Sequence, residues 1–175
     1  ATGSFYTPRV VVDWMVDQAL LVYLKEKLTT DDTNGTDKKL KRLLSWEDDG
    51  HDFTPAEVEK LIDAIDGMKV IDPACGSGAF PMGMLQKLVH VLKKLDPENK
   101  GWRKRQVAAV EKIESGPARA EALKAIGRAF ARDNDDYGRK LYLIENCLYG
   151  VDIQPIAVQI AKLRFFISLV VDQTI

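Results

Sequence analysis

A chain of 175 residues, 46% of them hydrophobic, has room for one domain with a substantial core, and its two cysteines exclude a disulfide framework. A formal net charge of −1 gives no overall attraction to nucleic acid, no apolar run approaches the roughly 20 residues of a membrane span, and no signal peptide is visible. The expectation is a soluble, cytoplasmic protein with no membrane partner.

The first helix starts at Thr7-Pro8, a capping residue followed by a first-turn proline, and Val11, Val12, Met15, Val16 and Ala19 form one apolar stripe along it. A polar loop over 29–35 ends it, and a second helix is expected over 37–46. The acidic stretch Glu47-Asp48-Asp49-Gly50-His51-Asp52 has no second His or Cys at ligand spacing, so it reads as a solvated turn. Thr54-Pro55-Ala56-Glu57 is a capping box with proline at the first position, and its helix stops at Asp66-Gly67.

Next comes a short strand, Met68 to Asp72, whose β-branched Val70 and Ile71 follow that stop and whose end is marked by Pro73. Gly76 and Gly78 then permit positive φ and a ligand held against bare backbone. At Gly78 a Cβ is expected to meet the ligand or strain the chain. The helix that opens near Phe80 aims unpaired N–H groups at the same spot. The turn is shaped for something small and polar. Three helices are expected within 96–146, and a second strand at Cys147 to Asp152 precedes a helix opened by Pro155.

A dinucleotide fingerprint competes for this turn, but it needs glycine or alanine three residues after Gly78 and an acid about 20 residues on, at the end of a second strand. Position 81 is proline, and Asp96 lies in the polar end of a helix. The acid that does end a strand is Asp152. Its carboxylate suits the two vicinal hydroxyls of a ribose.

Asp72-Pro73-Ala74-Cys75-Gly76-Ser77-Gly78-Ala79-Phe80 resembles motif I of the S-adenosylmethionine-dependent adenine-specific DNA methyltransferases of type I and fused type II restriction-modification systems. Gly150-Val151-Asp152-Ile153-Gln154-Pro155-Ile156-Ala157-Val158 resembles their motif II, and Gly3-Ser4-Phe5-Tyr6-Thr7-Pro8-Arg9-Val10-Val11 their motif X. The three stand in the group's order and cover 27 of the 175 residues. The resemblance implies an α/β fold, a partial Rossmann-like parallel sheet of the class I methyltransferase kind, with a helix-rich N-terminal region and a helical insertion between the first two strands. It divides one partial methyltransferase domain into 1–67 with motif X, 68–95 with motif I, the insertion 96–146, and 147–175 with motif II.

The same resemblance implies S-adenosylmethionine as cofactor, held by Phe5, Tyr6, Thr7, Asp72, Pro73, Ala74, Gly76, Gly78, Asp152 and Ile153. Phe5, Tyr6 and Thr7 would close the amino-acid end, Asp72 and the backbone of 76–79 would meet its ammonium and carboxylate, and Asp152 would take the ribose. The implied partner is double-stranded DNA, reached through the full-length protein with a specificity subunit or a fused target-recognition domain. The full-length protein of this group can also carry an endonuclease.

Other residues read as structural. Cys75 is a small filler behind the turn, without a His to make it a nucleophile, and His90 is a surface or boundary residue of its helix. The basic runs Lys38-Lys39-Leu40-Lys41-Arg42 and Trp102-Arg103-Lys104-Arg105 each read as a solvated helix face.

Two features depart from a compact methyltransferase. Asp152 follows Asp72 by 80 residues, where a strand-helix-strand unit takes about 30, and the insertion is left open to touch DNA, a partner subunit or nothing. The Asn/Asp-Pro-Pro-aromatic run that holds a flipped adenine is also absent. The chain is therefore expected to be a fragment inactive by itself, with no catalytic or metal-ligating residue and with an open sheet edge at Val70 and Ile71 covered by self-association or helix rearrangement. Two readings of other classes remain: a nucleotide-binding oxidoreductase domain, and a non-enzymatic interaction domain that keeps the fold without ligand.

Overall fold

The structure, a computed structural model, describes residues 7–28, 33–47, 50–112, 116–130 and 135–171. In chain order these form α1 (Arg9–Leu28), α2 (Thr33–Leu44), α3 (Pro55–Asp66), β1 (Val70–Asp72), α4 (Ala79–Leu95), α5 (Lys100–Glu111), α6 (Pro117–Phe130), α7 (Asp135–Asn146), β2 (Leu148–Gly150) and α8 (Pro155–Val171).

The expected α/β, partial Rossmann-like sheet is not what forms. The described residues are predominantly helical, and the two strands have three residues each, paired parallel with Val70 opposite Leu148, Ile71 opposite Tyr149 and Asp72 opposite Gly150. Both strands are cut short by their flanks: Gly67 and Pro73 bracket β1, while α7 runs to Asn146 and a loop follows Gly150. A two-stranded sheet is marginal alone. The apolar residues instead recur at helical period and bury helix on helix, with Leu20, Leu24, Leu40, Leu43, Leu61, Ile65, Leu85, Leu88 and Leu92 all essentially inaccessible.

The stripe along α1 is narrower than expected and turned by about one residue. Val12, Val16, Leu20, Leu24 and Leu28 are buried at steps of four, whereas Val11, Met15 and Ala19 are exposed. At the start of α3 the capping box is complete. The Thr54 hydroxyl accepts from the Glu57 N–H at 3.3 Å, and the Glu57 carboxylate accepts from the Thr54 N–H at 2.7 Å. That backbone donor, with Lys39 nearby, holds the Glu57 carboxyl below the ordinary glutamate range. Thr54→Ala should cost about 1 kcal/mol of unfolding free energy in a urea titration. An unchanged midpoint would mean that Pro55 alone sets the helix start.

Helix α4 is the hub, and polar side chains bury with its apolar ones. Lys87, 1% exposed, donates to the Leu44 carbonyl at 2.7 Å, pairs with Asp17 at 2.9 Å and lies 3.9 Å from the Trp46 ring centroid. Lys94 and the His90 ring both reach the Ser45 carbonyl, at 2.8 and 2.7 Å. These side chains supply the partners that the last carbonyls of α2 cannot find within their own helix. The insertion 96–146 packs around the C-terminal ends of α3 and α4: Trp102 is fully buried edge-on to Tyr142, and Gln106 donates to Asp66.

Candidate ligand cleft

Two loops meet where β1 and β2 end. The Val151 N–H donates to the Asp72 carbonyl and the Cys75 N–H to the Val151 carbonyl, both at 2.9 Å, so the sheet ladder continues as a lacing between the loops. The Asp152 carboxylate completes it, with one oxygen accepting from the Gly76 N–H at 2.9 Å and the other from the Gln154 N–H at 2.7 Å. Asp72 turns back on its own loop to accept from the Ala74 N–H at 3.1 Å. Gly76 and Gly78 hold φ of 53° and 84°, in the left-handed region that glycine enters without steric cost.

Helix α4 starts from this lacing. Its N-cap is Gly78, which has no side chain to cap with, so the amides of Ala79 and Phe80 are presented to an outside acceptor, and Pro81 has none to satisfy. Arg164 of α8 donates to the Ser77 carbonyl at 3.1 Å and fixes the outer side of the turn. A cavity of about 250 Å³ lies between the loop and the start of α1, lined by Thr7, Arg9, Asp13, Gly76, Gln86 and Arg164 among others. A neighbouring cavity of about 350 Å³ shares Thr7, Val12 and Ala74 with it and adds Asp72, Pro73 and Phe80.

Of the residues singled out in the sequence, Thr7, Asp72, Pro73, Ala74 and Gly76 line these cavities. Asp152 reaches the Gly76 amide from the other loop. Gly78 is turned away: a Cβ there meets Ala161 of α8 at 3.0 Å. Ile153 is 92% exposed. Phe5 and Tyr6 lie outside the described residues. Cys75 sits behind the turn with its thiol pushed up by burial and then by the carboxylates of Asp72 and Asp152, which keeps it protonated and poorly nucleophilic.

The sequence reading passed over Arg9, Asp13, Gln86 and Arg164. Arg9 and Asp13 face each other one helical turn apart at 3.8 Å, a spacing visible in the sequence. No local pattern marks Gln86 or Arg164, because nothing within a helix says which face will look into a cavity. The two adjoining cavities together thus offer carboxylates, guanidiniums and open amides. Such a set suits a polar ligand that carries both charges.

These features form a polar cleft at a glycine-bearing turn. No protein-family profile and no solved structure matches the chain. Over 172 residues, 96% of its length, it is 26% identical to part of a Methanocaldococcus jannaschii protein named "Putative type II restriction enzyme and methyltransferase". The chain spans 12% of that protein's length. The likeness is to a protein named for both restriction and methyl transfer. None of the described helices is long and apolar enough to cross a membrane.

Proposed function

We propose that this chain is the cofactor-binding part of a restriction-modification methyltransferase that transfers a methyl group from S-adenosylmethionine to the exocyclic amine of adenine in double-stranded DNA. The observation that carries the reading is that Thr7 and the loop that starts at Asp72 line two adjoining cavities, with the Asp152 carboxylate bonded to the Gly76 amide of that loop. When bound, S-adenosylmethionine supplies an electrophilic methyl group on a sulfonium. The chain's residues hold its two polar ends. Asp72 and Asp13 suit the ammonium; Arg9, Arg164 and the open amides of α4 suit the carboxylate. Asp152 suits the ribose, because two of the roughly four lone-pair sites of a carboxylate remain after Gly76 and Gln154 have donated.

The residues that hold the flipped base are assigned to the rest of the longer protein, since these 175 residues contain no Pro-Pro. A fused target-recognition domain or a specificity subunit would read the DNA sequence. Calorimetry with S-adenosylmethionine, S-adenosylhomocysteine and NAD tests the cofactor. Binding of the first two and not of NAD is expected, and a preference for NAD would replace the reading by a dinucleotide enzyme.

Asp152→Ala should weaken S-adenosylmethionine binding roughly 10- to 150-fold, since losing a charged acceptor costs about 1.5–3 kcal/mol. Asp152→Asn keeps one oxygen for the Gly76 amide and should fall in between. Unchanged affinity in a folded Asp152→Ala protein removes Asp152 from the site.

A further inference from the structure

Charge is distributed unevenly along this nearly neutral chain. Residues 100–132 carry nine Lys or Arg against three Glu, a surplus of six positive charges, in a chain whose total is −1, so the remainder is net −7. This segment is α5 and α6, a helical hairpin turned at Gly116-Pro117. The hairpin is anchored through α5. Trp102 is buried, and Arg105 turns inward to pair with Asp63 at 2.7 Å and with Glu59. Helix α6 has no buried side chain among its described residues.

Elsewhere several cations are matched, Lys25 to Asp37, Lys39 to Glu57, Arg42 to Asp52 and Lys87 to Asp17, and the unmatched ones, such as Lys38 and Lys60, stand in a remainder of the chain whose net charge is −7. On the hairpin Arg103, Lys104, Lys112, Arg119 and Lys124 have no carboxylate within ion-pair distance among the described residues, and all but Arg119 are well exposed. The run from Trp102 to Arg105 thus divides into an inward pair that anchors and an outward pair that faces solvent.

We propose that the outer face of the α5–α6 hairpin is a phosphate-gripping contact for duplex DNA, separate from the cofactor cleft. A cationic surplus of this kind suits a polyanion, and three kinds are at issue. An anionic membrane needs a broad apolar face beneath the charge, whereas α6 offers mainly alanine, with Leu123 and Ile126 half-buried. A protein interface is depleted in lysine and centred on aromatic anchors, and the one Trp here points inward. Duplex DNA presents one charge per about 1.7 Å of axis, so helices of 12 and 14 residues, roughly 18–21 Å long, can span several phosphates. The choice of DNA among nucleic acids rests on the restriction-modification reading; the call for a polyanion does not.

The hairpin leaves the C-terminal end of α4, while the cleft lies at its N-terminal end. Seventeen residues put the two about 25 Å apart. The contact therefore bears on DNA flanking the target rather than on the base to be modified.

Fluorescence anisotropy of a labelled 20-base-pair duplex of arbitrary sequence tests this with the whole chain. Four or five phosphate contacts should make affinity fall roughly 150- to 500-fold between 50 and 200 mM salt. The variant Arg103→Ala/Lys104→Ala/Lys112→Ala/Arg119→Ala/Lys124→Ala should lose most of both affinity and salt dependence. Its circular dichroism and S-adenosylmethionine calorimetry should stay unchanged, which keeps failure of this contact distinct from failure of the cofactor reading. A control replacing Lys27, Lys38, Lys41, Lys60 and Lys162 by alanine removes the same charge and should keep most of the binding. Equal loss in the control reduces the effect to net charge and overturns the proposal. So does polyglutamate binding as tight as duplex binding, which would make the face a dock for an acidic protein, and so does absence of duplex binding.

Discussion

Gly78→Val should lower the unfolding free energy by about 4 kcal/mol and abolish S-adenosylmethionine binding, because two costs fall on one residue. A non-glycine side chain at φ of 84° is strained by about 1–3 kcal/mol, and a valine more than most. Its Cβ would stand 3.0 Å from Ala161 Cβ, a methyl fixed to α8 that cannot rotate away, and the crowding adds about 1–3 kcal/mol. Ala161 is the one buried residue of α8 among those described, so the helix that carries Arg164 to the cleft is the element displaced. Far-UV circular dichroism against urea should show the loss. Gly76→Ala separates the two costs, since φ there is 53° and nothing lies within 4 Å of the added methyl. It should cost only about 1–2 kcal/mol. A Gly78→Val midpoint equal to that of the unmodified chain would show that α8 does not depend on this contact.

The helices were legible in the sequence because their signals are local. The capping box at Thr54 to Glu57, the stop at Gly67 and the breaks at Gly116-Pro117 each act within a few residues of the element they bound. The sheet was not legible in this way. How many strands pair depends on which apolar runs find one another, and here Val70–Asp72 finds only Leu148–Gly150 among the described residues. Along α1, a phase error of one residue was enough to mistake exposed Val11 and Met15 for core. The turn at Gly76 and Gly78 could be read from its chemistry, since both glycines take the positive φ that the residue type suggests. What each glycine faces could not be read, because Ala161 lies 83 positions away. Lys87 shows the same limit. Nothing local to it names a partner, yet it and Lys94 reach carbonyls at the end of α2 and are buried.

Gly83→Val should cost about 3 kcal/mol and weaken cofactor binding, at a position no sequence motif marks. In an isolated helix, replacing glycine by alanine gains about 1 kcal/mol, so propensity alone predicts a more stable protein. Here α1 crosses α4 at Gly83, and a Cβ would lie 2.5 Å from Val12 Cγ1 and 3.7 Å from Val16 Cγ2. Val12 cannot swing aside, because a β-branched side chain in a helix keeps essentially one χ1 rotamer. The helices must therefore part, and overpacking of this kind outweighs the propensity gain. Parting them also reshapes the cleft, which Val12 and Gly83 both line. The decisive comparison is a double-mutant cycle of Gly83→Ala with Val12→Ala in urea. Each single change should destabilise, the first by crowding and the second by leaving a cavity. Combined, the new methyl fills the space that Val12 vacates. The pair should be about 1–3 kcal/mol more stable than the sum of the singles, and additivity within about 0.5 kcal/mol would mean that α1 and α4 are not held together at this contact.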